Sequence, residues 1–119
     1  MRVNPTVDTP EVIYDDSLRK LSIRGRSLPE DAWSFYEPVI GWAKSFIANG
    51  ESKLTVEFFL EYFNSSSGRY LLELLSTFEA AGKDVRVLWL TEPEDELMQE
   101  KGEEFSGLVD LPFDIRQAQ

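Results

Sequence analysis

The chain has 119 residues, with 22 acidic against 12 basic side chains and a formal charge of −10. That is one domain's worth of sequence, and 42% hydrophobic with 13% aromatic residues supplies a core without metals or disulfide staples. Cysteine and histidine are both absent, which excludes a thiolate nucleophile, a cysteine zinc site and the usual general base near neutral pH.

The negative charge disfavours nucleic acid and anionic membrane surfaces as partners. No apolar run approaches the roughly 20 residues that span a bilayer. No N-terminal stretch has the basic-then-apolar layout of a secretory signal. A cytoplasmic location is expected.

In chain order, residues 1–8 are poor in apolar side chains and are expected to form a flexible arm, with residues 9–119 as a single domain. Val12-Ile13-Tyr14 reads as a short strand and Asp15-Asp16-Ser17 as a turn. Leu18, Leu21 and Ile23 continue into a second strand, making a hairpin at one end of a sheet. Ser27-Leu28-Pro29-Glu30 has the form of a capping box and predicts a helix to about Ala48. Trp33, Tyr36, Ile40, Ala43 and Ile47 fall on one face of it. Pro38 predicts a kink or short break near Glu37.

Leu54, Val56, Phe58, Leu60 and Tyr62 alternate, with Phe59 and Phe63 on the opposite face. A strand apolar on both sides belongs in the middle of a sheet. A helix with inward Leu71, Leu72, Leu74, Leu75 and Phe78 follows, closed by Ala81-Gly82. Val85, Val87 and Trp89, with Leu88 and Leu90 behind them, predict a second buried strand beside the first and parallel to it. Residues 94–106 form an acidic helix anchored by Leu97, Met98 and Phe105. Leu111, Phe113 and Ile115 form a last strand. The order ββαβαβαβ implies an α/β fold with one mixed sheet.

The most informative local feature is Asn64-Ser65-Ser66-Ser67-Gly68, where a buried strand hands over to a helix. Serine and asparagine there satisfy free amides at the helix start. Capping needs one such residue, and four stand in a row. Gly68 is expected to let a phosphate or a partner's backbone approach closely. A phosphate here would place about −1.5 to −2 charges at the positive end of a helix. The free fold would tolerate it; a docked partner would not. The acidic run from Glu92 to Glu104 lacks the spacing of a calcium loop and reads as a solvated face. Trp33, Tyr36 and Trp42 read as core rather than as a ligand pocket.

The stretch Phe58-Phe59-Leu60-Glu61-Tyr62-Phe63-Asn64-Ser65-Ser66-Ser67 resembles the signature of the SiaC family of bacterial regulatory phosphoproteins. Gly25-Arg26-Ser27-Leu28-Pro29-Glu30 and Phe35-Tyr36-Glu37-Pro38-Val39-Ile40-Gly41-Trp42 are similar to two further segments of that family. The resemblance implies a fold like the anti-sigma-factor antagonist, or STAS, domain, with helices packed mainly on one face. It also implies partner switching. A serine/threonine kinase adds a phosphate after the Asn, a PP2C-type phosphatase removes it, and the unmodified form binds a target. In the best-known branch the target is a diguanylate cyclase that controls biofilm formation. The acceptor position is Ser65 here, where the family usually has threonine; alignment on the Asp-Ser-Ser-Gly motif of STAS domains selects Ser66 instead. Asn64, Ser66, Ser67, Gly68 and Arg69 are expected to face the partner. No catalytic residue, cofactor or metal is expected. The competing expectation is a STAS-like domain that binds a small ligand or lipid, its serines serving only as caps.

Overall fold

The computed structural model describes residues 1–51 and 53–119. Six strands form one sheet: β1 (Arg2–Val3), β2 (Glu11–Asp15), β3 (Lys20–Ser27), β4 (Lys53–Phe63), β5 (Asp84–Thr91) and β6 (Phe113–Gln117). Three helices join the last four strands: α1 (Ala32–Ala48), α2 (Ser65–Ala80) and α3 (Glu96–Leu108). The fold is mixed α/β. Strand order in the sheet is the order of the chain. β1, β2 and β3 are antiparallel neighbours, and β3, β4, β5 and β6 are parallel. The hairpin and the adjacent parallel pair β4–β5 are as the alternation predicts. Arg2–Val3 pair with Ile13 and Val12 as an added edge strand, where the composition predicts a loose arm.

Each of the three crossovers moves one strand further in the same direction. Right-handed crossovers of that kind all fall on one face of the sheet. The inward row Leu21, Ile23, Val56, Phe58, Val87 and Trp89 is fully covered there. Facing it, α1 buries Ala32, Tyr36, Val39, Ile40, Ala43 and Phe46, and α2 buries Leu71, Leu74, Leu75 and Phe78. Phe46 and Phe78 meet edge-on between the two helices, ring centroids 6.4 Å apart. No helix among the described residues is long and apolar enough to cross a membrane.

Four details differ from the sequence expectation. Ser27 does not cap α1. It is the last residue of β3 and fully buried, and Asp31 takes the cap, accepting from the Ser34 amide at 3.2 Å and the Ser34 hydroxyl at 2.7 Å. With the helix starting there, Trp33 turns outward and is 45% exposed. The helix runs unbroken through Pro38. Leu97 and Leu18 lie exposed.

The fourth difference is a register shift. Gly25 pairs with Leu60 but Arg26 pairs with Tyr62, so Glu61 has no partner and β4 carries a bulge. A bulge reverses the faces beyond it. Strict alternation would send Tyr62 inward and Phe63 outward. Instead Tyr62 is 47% exposed, and Phe63 packs against Trp89 and Phe105 at ring centroid distances of 6.2 and 5.6 Å.

Those aromatics hold the acidic helix α3. Trp89 donates its indole N–H to the Met98 carbonyl at 3.0 Å. Gly102 lies so close to the indole that a Cβ there would come within 2.6 Å of Trp89 Cδ1. Gly102→Ala is therefore expected to lower stability by about 1–3 kcal/mol through overpacking, against about 0.5–1 kcal/mol gained in helix propensity. Thermal unfolding of the variant checks this; an unchanged or raised midpoint would show that α3 slides off Trp89 freely.

Candidate functional site

The site lies at the C-terminal end of β4. Asn64 leaves the strand in extended conformation (φ −83°, ψ 172°) and caps α2, its Oδ1 accepting from the Ser67 amide at 2.9 Å. The Asn64 amide donates to the Ser27 carbonyl at 3.1 Å, which ties the turn to the end of β3. The Ser66 hydroxyl donates to Asn64 Oδ1 at 3.3 Å. The capping duty expected of the cluster thus rests on Asn64, and Ser65 opens the helix as an exposed residue.

Ser67 has a different role. It is fully buried, and its hydroxyl donates to the Ser27 carbonyl at 3.1 Å. The Ser27 hydroxyl lies 2.9 Å from Ser67 Oγ and 2.5 Å from the Tyr36 phenol. These three hydroxyls join the end of β3, the second turn of α1 and the first turn of α2. Each is satisfied, which is the condition on which buried polar groups are tolerated.

Gly68 is buried as well. A Cβ at this position would meet the Phe63 ring at 3.0 Å. The glycine therefore makes room for Phe63, not for a phosphate or a partner's backbone. Of the residues expected to face a partner, Arg69 and Ser66 are exposed and Asn64 is half-buried, whereas Ser67 and Gly68 are enclosed.

Arg69 stands four residues after Ser65 and three after Ser66, so it shares a helical face with both hydroxyls. Its guanidinium lies 5.7 Å from the centre of the Tyr70 ring. Tyr70 in turn packs against Trp33 of α1, ring centroids 5.6 Å apart. An aromatic pair spanning two helices, with Trp33 exposed and Tyr70 half-buried, thus lies beside Arg69 on the serines' side of α2. Sequence periodicity missed it, because it assigned Trp33 to the core. The signal that finds it is the true helix start at Asp31, which rotates the inward face to Ala32, Tyr36, Val39 and Ala43.

This site is the junction on which the sequence resemblance rests. The family described as "SiaC family regulatory phosphoprotein" matches residues 3–118. The chain belongs to the SiaC family. It is 30% identical to an uncharacterised protein of Pseudomonas aeruginosa strain UCBPP-PA14 over 98% of this chain and 94% of the other. Among solved structures it is similar to SiaC of Pseudomonas aeruginosa in complex with the diguanylate cyclase SiaD, whose activator SiaC is. There the TM-score is 0.92 at 30% identity, with 99% of each chain covered. Apo-SiaC from the same organism gives a TM-score of 0.88 at 29% identity over 98% of this chain and 97% of that one. Members of the SiaC family are thus the setting in which this serine cluster is to be read.

The hydroxyl chain beneath the cluster has a measurable signature. Burial is the main cause that pushes the Tyr36 phenol from 10.0 up to about 12, the hydrogen bonds with Ser27 and Ser67 acting in the opposite direction. An unfolded tyrosine ionises near pH 10 while the folded one stays neutral. The stability contributed by this difference is therefore complete below pH 10 and is lost as pH rises towards 12, by roughly 2–3 kcal/mol. Chemical denaturation across this range should show a steeper alkaline loss for the native chain than for Tyr36→Phe. Superimposable slopes would mean that the phenol titrates normally. Ser27→Ala, which removes the hydroxyl beside the Tyr36 phenol while Ser67 keeps its bond to the carbonyl of residue 27, should cost about 1–3 kcal/mol at neutral pH.

Proposed function

We propose that this protein is a phosphorylation-controlled binding module and not an enzyme. Its unmodified form docks on a diguanylate cyclase in the cytoplasm through the surface around Ser65. A serine/threonine kinase modifies Ser65, and a PP2C-type phosphatase restores it. The observation that carries the reading is the division of labour within the cluster. Asn64 caps α2 and Ser67 is locked into the buried hydroxyl chain, while Ser65 stands exposed at the helix start in a chain of the SiaC phosphoprotein family. The competing view, that the serines are only caps of a ligand-binding domain, gives the Ser65 hydroxyl no work.

A phosphate on Ser65 meets the positive end of α2 and stands one turn before Arg69, both favourable. The charge of −10 opposes it. The fold should consequently hardly notice the modification. A docked partner would notice it, since an unpaired charge enclosed in an interface costs several kcal/mol. The aromatic pair Trp33–Tyr70 supplies the apolar centre such an interface needs.

Two measurements test the reading. Incubation with the organism's own kinase should add one phosphate to the native chain and none to Ser65→Ala; transfer of the label to Ser66 would move the switch by one residue. Calorimetry against the diguanylate cyclase should give full binding for Ser65→Ala, partial loss for Ser65→Asp and the largest loss for the phosphorylated chain. The Asp side chain falls short because it carries one charge where phosphate carries up to two. Equal binding by all three forms would sink the switch.

A further inference from the structure

The face of the sheet turned away from the helices is uncovered. All-parallel strands such as β3–β6 are ordinarily sandwiched between two layers, and here only one layer is present. Phe59, Leu88 and Leu90 point to the bare side and are half-buried. Register places Phe59 beside Leu90, and Leu88 beside Glu57 and Asp114. Two grooves, of about 410 and 380 Å³, run over this surface and meet at Leu88 and Arg116.

The charge on this face runs against that of the chain. Lys20, Arg24, Arg86 and Arg116 all line the grooves, in a protein of net charge −10. Facing them from β4 and β6 are two carboxylates. Glu57, only 3% exposed, is held by Lys20 at 3.2 Å and Arg24 at 3.0 Å. Asp114 lies 3.5 Å from Arg116. Arg86 makes no ion pair among the described residues. Asp84 stands two residues before Arg86 on the same face of β5, opposite Lys53 and outside the two grooves, and Glu11 and Asp15 border the face at β2, opposite Arg24 and Lys20.

We propose that this open face docks an amphipathic helix with acidic flanks, supplied by another protein. A helix is the element that covers a parallel sheet elsewhere in this same molecule. The apolar row Phe59–Leu90–Leu88 takes its apolar stripe, and the rim of Arg86, Arg116 and Arg24 takes its carboxylates. The grooves are too open to enclose a small ligand to the degree that tight small-molecule sites require. The surface is separate from the serine cluster. Phe59, the member of the docking row nearest the cluster, stands six residues before Ser65, about 20 Å away at the rise of an extended strand, and on the sheet face opposite the helix layer. Docking here is therefore independent of the phosphorylation state.

Fluorescence anisotropy with two labelled peptides tests this. Each has about 18 residues and leucines at helical spacing; one is flanked by glutamates and the other by lysines. The full-length protein should bind the glutamate peptide at least about tenfold more tightly than the lysine peptide, with affinity falling as salt rises. Arg86→Glu combined with Arg116→Glu should reverse that preference, and both substitutions lie on the solvent side of the sheet. Ser65→Asp should leave it unchanged, which separates this outcome from that of the switch. Absence of saturable binding, equal binding of both peptides, or indifference to the charge reversal would overturn the proposal. Salt-sensitive self-association in sedimentation, abolished by the same two substitutions, would also overturn it by placing a second copy on the face.

Discussion

The packing beneath the serine cluster depends on one unpaired residue in β4. Because Glu61 has no partner in β3, the strand beyond it is turned over. Phe63 then enters the aromatic cluster with Trp89 and Phe105, opposite Ser27, which the unbroken alternation of β3 already turns to the helix layer with Leu21 and Ile23. Without the slip, Tyr62 would face the helix layer opposite Ser27, and Phe63 would face the bare side of the sheet, away from Trp89 and Phe105. The need for a glycine at position 68, where a Cβ would meet the Phe63 ring at 3.0 Å, follows from that reversal. A bulge beside a functional junction is a common device for re-aiming a side chain. Here it aims two at once, and the exposed hydroxyl sits on a platform that is rigid because its neighbours are buried.

Much of this architecture is legible in the sequence, and the reasons are physical. Strands β4 and β5 are apolar on both faces, and only a central position in a sheet can accommodate that pattern. The strand-to-helix handover at Asn64 is equally plain, since asparagine followed by serines has few other uses. What escapes is what depends on long-range partners. The bulge cannot be seen in β4 alone, because it is a property of the pair β3–β4. The Ser27 motif fits a capping box locally, yet Asp31 competes for the same helix four residues later and wins. Burial of Ser27 against Tyr36 decides the matter, and neither residue announces it. The edge strand at Arg2–Val3 escapes for a similar reason. Two residues carry no periodicity, and only the open flank of β2 gives them a place.

The two surfaces described above differ in chemical character. Around Ser65 the surface is aromatic and polar, with one arginine and the positive end of a helix. Across the sheet it is aliphatic with a cationic rim. Meanwhile the acidic side chains accumulate on α3, where Glu96, Glu100, Glu103 and Glu104 face solvent. The net charge is thus a sum over unlike regions, and an argument from the total alone excludes too much. The total disfavours a phosphate backbone spread over the whole molecule, but it says nothing against an anionic segment confined to one face.

That strand order in the sheet equals order along the chain bears on how the molecule is made. Each new strand joins the edge formed by its predecessor, so no strand waits for a later one to be inserted between it and its neighbour. Each parallel pairing spans a single β-α unit, the shortest separation a parallel pair allows, although such pairing closes more slowly than the β2–β3 hairpin. During synthesis the sheet can grow by accretion, one β-α unit at a time, as the polypeptide leaves the ribosome. The outer edges of β1 and β6 are its only permanent flanks, and β1, at two residues, is too short to template a further strand. The kinase substrate is consequently finished early. Asn64 finds Ser27 as soon as β4 has zipped onto β3, before the acidic helix exists, and the last β-α-β unit then seals Phe63 beneath it.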